Sequence, residues 1–345
     1  MSKRKLSNRQ KERIQAVQEK RRTRAAQHNS ENGESIDIDQ LGPELKGTVI
    51  TNFGTQVEVQ TADSEAEQRL VRCHIRANLD SLVTGDNVIW RPSPTLGVVV
   101  AREHRHSELM RPDIYGKLRP IAANIDTIAI VFSPRPEAFS NLIDRYLIAA
   151  EAQKIQPILI VNKIDMLDQG HHSKVSQLIN DYQFIGYNVF QVSAKTGHGI
   201  DQLQAYLAEK TAIFVGQSGV GKSSLTNLLQ PEANMAVGAL SERKAKGRAK
   251  GTHTTTISKL FHLSAGGKLI DSPGIREFGL THLSAEEVIS GFIDFHPYLG
   301  QCKFRDCGHD NEQHCALIKA VRDKKVLASR LNNYHQIINS LDDNQ

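Results

Sequence analysis

Short stretches of alternating hydrophobic and polar residues fill the region between Lys46 and Glu103. Strand-forming residues are separated there by Gly, Asp and Pro, which favour turns. The five stretches are residues 47–51, 56–60, 69–75, 87–90 and 97–101. Short strands joined by turns predict a small antiparallel barrel, of either the oligonucleotide-binding (OB) or the SH3-like kind. We expect Cys73 and Trp90 to lie in its core.

A different pattern begins near Ile121, where apolar strands alternate with amphipathic helices. The expected strands are residues 126–132, 155–161, 188–192, 211–215, 258–263 and 268–270. The expected helices are residues 139–153, 173–181, 200–208 and 223–229. This alternation predicts a mostly parallel sheet with helices on both faces. After Ser284 the pattern is helical, and it ends in one predicted helix over residues 316–341.

Charge is distributed unevenly along the 345 residues. Residues 1–28 hold ten Lys or Arg and two Glu, so this arm carries +8 and the remainder −3 of the net +5. A cationic arm suits a polyphosphate partner; the alternative is a solvated tail without a specific partner. No apolar run approaches the roughly 18 residues of a membrane helix, and the basic start has no apolar signal core. We therefore expect a cytoplasmic protein without a membrane partner.

Residues 216–223 read G-Q-S-G-V-G-K-S and fit the phosphate-loop pattern G-x-x-x-x-G-K-S. They follow an apolar strand and open a helix, so backbone N–H groups and the helix N-terminus can surround phosphate oxygens. Lys222 is expected to neutralise the outer phosphates, and Ser223 to ligate Mg²⁺. The residues assigned to nucleotide binding here are Gly216, Gln217, Ser218, Gly219, Val220, Gly221, Lys222, Ser223 and Ser224.

Asp271 begins the sequence D-S-P-G at the end of the last predicted strand. A carboxylate in this place can hold Mg²⁺, directly or through water, and the amide of Gly274 is free for a γ-phosphate. A threonine-rich run lies between this motif and the phosphate loop. Either Thr255 or Thr254 is expected to complete the Mg²⁺ shell, and we assign Thr255.

Two further motifs indicate which base is bound. Asn162, Lys163, Ile164 and Asp165 form an N-K-x-D sequence at the end of one predicted strand, and Ser193, Ala194 and Lys195 form S-A-K after the next. The aspartate can accept hydrogen bonds from guanine N1 and its exocyclic amine, a donor pair that adenine lacks. The Ala194 N–H can meet the guanine O6. Because all these loops follow the carboxyl ends of strands, we expect one GTP site.

Three of the four cysteines lie within residues 302–315. Cys302, Cys307, His309 and Cys315 supply three thiolates and an imidazole, a closed set suited to structural Zn²⁺. His314 is an alternative ligand to His309. Four protein ligands leave no position for water, so we do not expect a catalytic zinc.

The order of the nucleotide motifs is unusual, because the base-reading motifs precede the phosphate loop, whereas GTPases of the Ras type begin with it. With a β-barrel before it and a cysteine cluster after it, this permuted order resembles the RsgA/YjeQ family of ribosome-dependent circularly permuted GTPases. The resemblance rests on the motifs at residues 162–165, 216–224, 253–256 and 271–274 and on the cysteine cluster. It implies an OB-fold barrel and a GTPase that acts late in maturation of the bacterial small ribosomal subunit and is stimulated by it.

Ile275 follows Gly274, where Ras-like enzymes carry the Gln that orients the attacking water. An apolar side chain cannot do this, so we expect slow intrinsic turnover. His253 is the nearest candidate for the catalytic role, and the resemblance supports it; the alternative is an exposed loop histidine. Lys222 and Thr255 complete the expected catalytic set.

Taken together, the patterns and the resemblance predict a multidomain α/β and β protein. The expected segments are a basic flexible arm and linker (1–42), a five-stranded OB-fold RNA-binding barrel (43–112), a circularly permuted Ras-like P-loop GTPase domain (113–283) and a helical zinc-binding domain (284–345). The expected ligands are GTP or GDP with Mg²⁺ and one Zn²⁺. We expect a monomer whose partner is the small ribosomal subunit with its rRNA. The protein is expected to bind the subunit in the GTP state and to be released on hydrolysis.

Two other functions compete with this one. A GTP-sensing RNA-binding scaffold, in which hydrolysis is incidental, is compatible with Ile275. A metabolic P-loop kinase is disfavoured, because N-K-x-D and S-A-K read a bound guanine and no acceptor-substrate pocket is evident. The basic stretch at residues 243–250 is either an rRNA and nucleotide contact or a charged loop.

Overall fold

A computed structural model describes residues 41–61, 69–76, 79–113, 115–169, 172–230, 258–271 and 279–342. The basic arm (1–40), the basic stretch (243–250), the threonine run with His253, Thr254 and Thr255, and Gly274 with Ile275 lie outside the described residues. Expectations for those residues therefore remain predictions.

The first five strands close into a barrel. They are β1 (Leu45–Asn52), β2 (Gln56–Thr61), β3 (Leu70–Ile75), β4 (Asn87–Arg91) and β5 (Gly97–Arg102). Their order is β1-β2-β3-β5-β4, with β1 also paired to β4, and β3 and β5 run parallel. This is the Greek-key arrangement of an OB-fold, which resolves the choice left open by the sequence. Cys73 and Trp90 are buried in its core as predicted, together with Val49, Val57, Val59, Leu82, Val88 and Val99.

A two-stranded antiparallel ribbon, which the sequence pattern did not predict, follows the barrel. It consists of β6 (Glu108–Pro112) and β7 (Leu118–Ala123). Pro120 lies opposite Met110, where the register shifts. Proline and charged residues interrupt the hydrophobic alternation that normally reveals a strand.

The second sheet is mostly parallel, as predicted. Its strands are β8 (Thr127–Phe132), β9 (Gln156–Val161), β10 (Val189–Gln191), β11 (Thr211–Val215), β12 (Lys259–His262) and β13 (Lys268–Asp271), arranged as β10-β9-β8-β11-β13-β12. All neighbours are parallel except β12, which runs antiparallel to β13. Among the described residues of this part, the α-helices are α1 (Ser140–Ala152), α2 (His172–Ile185), α3 (Ile200–Leu207) and α4 (Lys222–Leu229).

Both faces of this second sheet are buried. Along β8, Ile128 and Ile130 belong to one hydrophobic cluster, whereas Ala129 and Val131 belong to another on the opposite face. The strands are therefore almost continuously apolar, as expected for a parallel sheet covered by helices on both sides. An antiparallel pairing of Thr51 in β1 with Lys259 in β12 joins this sheet to the barrel.

The C-terminal part contains α5 (Ala285–Ser290), a 3₁₀ helix (Ile293–Tyr298), α6 (Ala316–Arg322) and α7 (Ala328–Asp342). The single helix predicted over residues 316–341 is wrong, because the chain breaks between α6 and α7. Lys324 takes a left-handed backbone conformation (φ 57°), and its N–H donates to the carbonyl of Val321. Neither Gly nor Pro marks this break in the sequence. In the described part of the chain, no helix has the length and apolar character needed to cross a membrane.

Candidate functional site

The phosphate-loop sequence connects β11 to α4 at the carboxyl edge of the parallel sheet. Gly216, Gly219 and Gly221 all have positive φ values, of 133°, 83° and 98°. A Cβ on Gly221 would collide with the side-chain amide of Asn162, so the loop can lie this close to the N-K-x-D motif only with glycine there. The loop and the N-K-x-D motif are thus in direct contact.

Lys222, the first residue of α4, folds its side chain back over the loop. Its Nζ donates to the carbonyl oxygens of Gly216 (2.6 Å) and Gln217 (2.8 Å). Ser218, Ser223 and Ser224 are exposed around it. A cation and two hydroxyls therefore stand at the N-terminus of an eight-residue helix, which favours bound phosphate.

Asn162 holds three loops together. Its side chain is 1% exposed; Nδ2 donates to the Val220 carbonyl (3.0 Å), and Oδ1 accepts from the Ala194 N–H (3.1 Å). One buried amide thus joins the N-K-x-D, S-A-K and phosphate loops. The Ala194 N–H, predicted to meet the guanine O6, donates to Asn162 in this structure.

Lys163 connects the N-K-x-D motif to the phosphate loop and to the loop after β8, from the solvent side. Its backbone is left-handed (φ 64°), and its Nζ donates to the carbonyls of Gly219 (2.6 Å) and Arg135 (2.8 Å). The Arg135 carbonyl also accepts from the Ser133 hydroxyl (2.7 Å). Sequence reasoning missed this loop after β8; the available signal was its place at the carboxyl end of a buried strand.

Asp165 is oriented by the S-A-K loop. Its Oδ1 accepts from the hydroxyl of Ser193 at 2.6 Å, and Ser193 Oγ in turn accepts from the Thr196 N–H at 3.2 Å. Ser193 is fully buried, so this contact holds the Asp165 carboxylate from the side of the protein interior. Ile164 is half-buried beside Asp165, and Lys195 is exposed.

Asp271 ends β13, the parallel neighbour of the phosphate-loop strand β11. Its side chain reaches solvent, yet surrounding protein atoms raise the pKa of its carboxyl, and the Lys222 ammonium opposes that rise. The sheet therefore brings Asp271 close to Lys222, although 49 residues separate them in the sequence. With Ser223, this carboxylate provides two of the three predicted Mg²⁺ ligands at one edge; Thr255 lies outside the described residues.

The cysteine cluster is a compact set of four potential metal ligands. The ligand atoms of Cys302, Cys307, His309 and Cys315 all lie within 4.8 Å of one another. His309 Nδ1 is 3.5 Å from Cys302 Sγ and 3.4 Å from Cys315 Sγ, and these two sulfurs are 3.9 Å apart. Zn–S bonds of about 2.3 Å in a tetrahedron require separations of about 3.8 Å between sulfurs, so the cluster fits a zinc site. His314, the alternative ligand, is exposed and lies outside the cluster.

One thiol of this cluster, that of Cys307, is protonated without a cation. Burial raises the pKa of Cys307 to about 12, and the neighbouring Cys315 and Cys302 add to the rise. Thiolate ligands need a compensating positive charge, so binding of a divalent metal would release protons. The cluster is therefore built for a cation rather than for free thiol chemistry.

Guanine-reading and phosphate-binding loops converge at one edge of a parallel sheet, in an order permuted along the chain. The fold and the site thus define a circularly permuted P-loop GTPase. The RsgA GTPase family model matches residues 102–281. The chain belongs to the RsgA GTPase family.

Relatives and solved structures agree with this assignment. The chain is 51% identical over 345 residues to the "Small ribosomal subunit biogenesis GTPase RsgA" of Pseudomonas fluorescens (strain Pf0-1), covering 100% of this chain and 99% of the relative. It is similar to the crystal structure of YjeQ from Thermotoga maritima (TM-score 0.69, 29% identity, covering 87% of this chain and 99% of that one). It is also similar to YloQ, described as a circularly permuted GTPase (TM-score 0.67, 28% identity, covering 91% and 99%).

Proposed function

We propose that this chain hydrolyses GTP as a late biogenesis factor of the small ribosomal subunit. The observation that carries the proposal is that hydrogen bonds of Asn162 join the guanine and phosphate loops. The same chain is 51% identical over its full length to the small ribosomal subunit biogenesis GTPase of Pseudomonas fluorescens. The expected cycle is binding to the small subunit and its rRNA with GTP and release after hydrolysis. A factor that acts on ribosomal subunits would work in the cytoplasm, and we expect this chain to act there as a monomer.

Each part of the nucleotide has a proposed partner. Asp165, held by Ser193, reads the guanine N1 and exocyclic amine. When nucleotide binds, Lys222 Nζ would leave the carbonyl oxygens of Gly216 and Gln217 and bond to the outer phosphates. The phosphates attract it more strongly, because they carry a full negative charge instead of a dipole. Ser223 and Asp271, with Thr255, would hold Mg²⁺, which neutralises charge developing on the phosphates. Gly274 is proposed to donate its amide to the γ-phosphate.

Hydrolysis needs a group that orients water, because Ile275 cannot. We assign this role to His253 and expect His253→Ala to lose most subunit-stimulated turnover while keeping GTP affinity. Full stimulated turnover in that variant would remove the assignment. The Cys₃His cluster would hold one structural Zn²⁺, which fixes the fold around it and takes no part in hydrolysis.

Base recognition is tested by Asp165→Asn. Replacing the acceptor carboxylate by an amide removes the match to the two guanine donors and creates a donor that suits a xanthine carbonyl. We expect GTP affinity to fall about 100-fold or more and xanthosine triphosphate to become the better substrate, as measured by competition binding. Unchanged GTP preference would contradict the guanine site.

The assembly factor and the scaffold are distinguished by nucleotide dependence of subunit binding. Co-sedimentation with purified small subunits should show retention with a non-hydrolysable GTP analogue and release with GTP. Ser223→Ala should alter turnover and release together, whereas the exposed Ser290→Ala on α5 should alter neither. Equal binding with GTP, GDP or no nucleotide would favour the scaffold.

A further inference from the structure

The C-terminal part contains a short loop between two cysteines of the Cys₃His cluster. Residues 303–306 (Lys, Phe, Arg and Asp) connect Cys302 to Cys307, and we call them the knuckle loop. Both cysteines belong to the Cys₃His cluster, and Cys302 Sγ also accepts from the Ala316 N–H at 3.4 Å. A four-residue loop anchored at both ends has few conformations to lose when it binds a partner.

Phe304, within the knuckle loop, is partly exposed to solvent. Its side chain is 48% exposed, whereas Phe292 and Phe295 of the same C-terminal part are fully buried and stack at 4.7 Å. Tyr334 packs edge-on against both of them. The knuckle loop thus presents a large apolar ring to solvent beside a well-formed aromatic core.

Cations flank this ring on both sides in the sequence. Lys303 and Arg305 are exposed, and Lys303 Nζ lies 5.5 Å from the Phe304 ring centroid. Asp306 is the one acidic residue of the loop. An aromatic face framed by positive charge is complementary to a nucleobase attached to phosphates.

Polar groups that can read a base edge line a cleft next to the cysteine cluster, which includes Cys315. A cleft of about 620 Å³ begins at Gln301, the residue before Cys302, and extends to the start of α6. Amide and imidazole side chains of Asn311, Gln313 and His314 line it, and Lys319 and Arg322 add positive charge. Asp310 and Glu312 also line the cleft, so it is not uniformly cationic.

We propose that the knuckle loop is an RNA-docking surface on which Phe304 stacks against an unpaired base while Lys303 and Arg305 bind the adjoining phosphates. This inference rests on the proposed ribosomal function, which supplies the RNA. A single half-exposed ring offers too little apolar area for a protein interface, but it matches the area of one base. The size of the ring and the sign of the flanking charges therefore favour RNA over a protein partner.

The test compares Phe304→Ala with a matched control on the same chain. Phe184, on α2, is 60% exposed and has the uncharged neighbours Gln183 and Ile185. Affinity for purified small subunits is measured by sedimentation with a non-hydrolysable GTP analogue, and zinc content by metal analysis. We expect Phe304→Ala to bind about tenfold more weakly, Phe304→Trp to bind as the unchanged protein, and Phe184→Ala to show no change.

Salt dependence and naked RNA complete the test. Arg305→Ala should lower the slope of log affinity against log salt by about one. The loss with Phe304→Ala should also appear with deproteinised small-subunit rRNA. Full binding by Phe304→Ala with zinc retained would overturn the proposal, and so would a loss seen with intact subunits but absent with naked rRNA. No subunit binding by the unchanged protein would instead refute the proposed function.

Discussion

The GTPase sheet is joined to its two neighbours in opposite ways. The C-terminal helices share a single hydrophobic cluster with it, in which Ile148 of α1, Phe292, Leu317 and Ile337 are all buried. The barrel has a core of its own; only Ile50 of β1 belongs to the shared cluster, and β1 pairs with the edge strand β12 of the sheet. A shared core makes two segments one folding unit, whereas a segment with a core of its own can open as a separate unit.

A buried ionic network strengthens the C-terminal junction. Arg330 of α7 is 2% exposed; it donates to Asp144 of α1 and, at 2.8 Å, to Asp294. Asn333 and Tyr182 also donate to Asp144, at 2.6 and 2.7 Å. Burial lowers the pKa of Arg330, but the two carboxylates outweigh it, so the guanidinium stays charged. Close packing adds to this: a Cβ on Gly291 would lie 2.9 Å from Ile148 Cα.

Polar contacts around β12 contribute to the barrel junction. The Thr84 hydroxyl donates to the Ser258 carbonyl at 3.1 Å, and His262 Nε2 lies 2.6 Å from Gln60 Oε1. β12 connects the threonine run to the Asp271 strand, so the barrel holds a strand next to the nucleotide motifs. Contacts of the barrel can therefore reach the nucleotide motifs through β12.

Removal of metal should have the largest effect. Cys302, Cys307 and Cys315 contact the shared cluster, so loss of Zn²⁺ should loosen α6, α7 and the GTPase body together. Cys315→Ser should lower the melting temperature of this unit by more than 10 °C, as followed by calorimetry. The barrel transition should remain unchanged; barrel unfolding in step with the rest would contradict the comparison.

The substitution Arg330→Ala should have the second-largest effect on stability. It leaves Asp144 buried without its cation, which should cost about 3–5 kcal/mol in the free energy of unfolding measured with urea. Arg330→Met combined with Asp144→Leu should recover part of this loss.

Arg145 provides the control for that prediction. It bonds to Ser340 at 2.6 Å across the same junction but is only half-buried. Arg145→Ala should cost about 1 kcal/mol or less. Equal losses in the free energy of unfolding at Arg145 and Arg330 would show that burial of the network does not increase its contribution to stability.

Thr84→Val should have a smaller and more local effect. It removes the hydrogen bond to Ser258 and should cost about 1 kcal/mol of junction stability. Hydrogen exchange should speed up in β12 but not in α7. Uniform acceleration in both elements would mean that the junctions are not independent.

Acidification should give the smallest effect. Burial and nearby Lys268 lower the pKa of His262 below its ordinary 6.5, so the folded junction prefers neutral imidazole. Its contribution is complete above about pH 6.5 and is lost as pH falls through the lower folded-state pKa. Hydrogen exchange of β12 should rise in that interval, and His262→Gln should remove the pH dependence. A rise of the same size in His262→Gln would assign it to another group.

Local pattern predicted most of the architecture, because barrel strands, parallel strands and glycine-rich loops each leave a short-range signature. The N-K-x-D and phosphate loops were found from a few consecutive residues each. Their convergence followed from one rule about the carboxyl ends of parallel strands. The structure adds the contacts that make them one site, above all those of Asn162.

Contacts between distant residues were not predictable in this way. Arg330 and Asp144 are separated by 186 positions, and each reads as an ordinary charged residue on an amphipathic helix. The ribbon β6–β7 and the break at Lys324 also lack the alternation, Gly or Pro that would reveal them. Burial and pairing decide these features, and both depend on the complete fold.

GTP turnover by the purified protein, alone and with small or large ribosomal subunits, tests the central claim most directly. We expect slow turnover alone, because Ile275 replaces the water-orienting Gln, and strong stimulation by small subunits only. Equal turnover under all three conditions, with GTP bound normally, would contradict the assignment of this GTPase to small-subunit biogenesis.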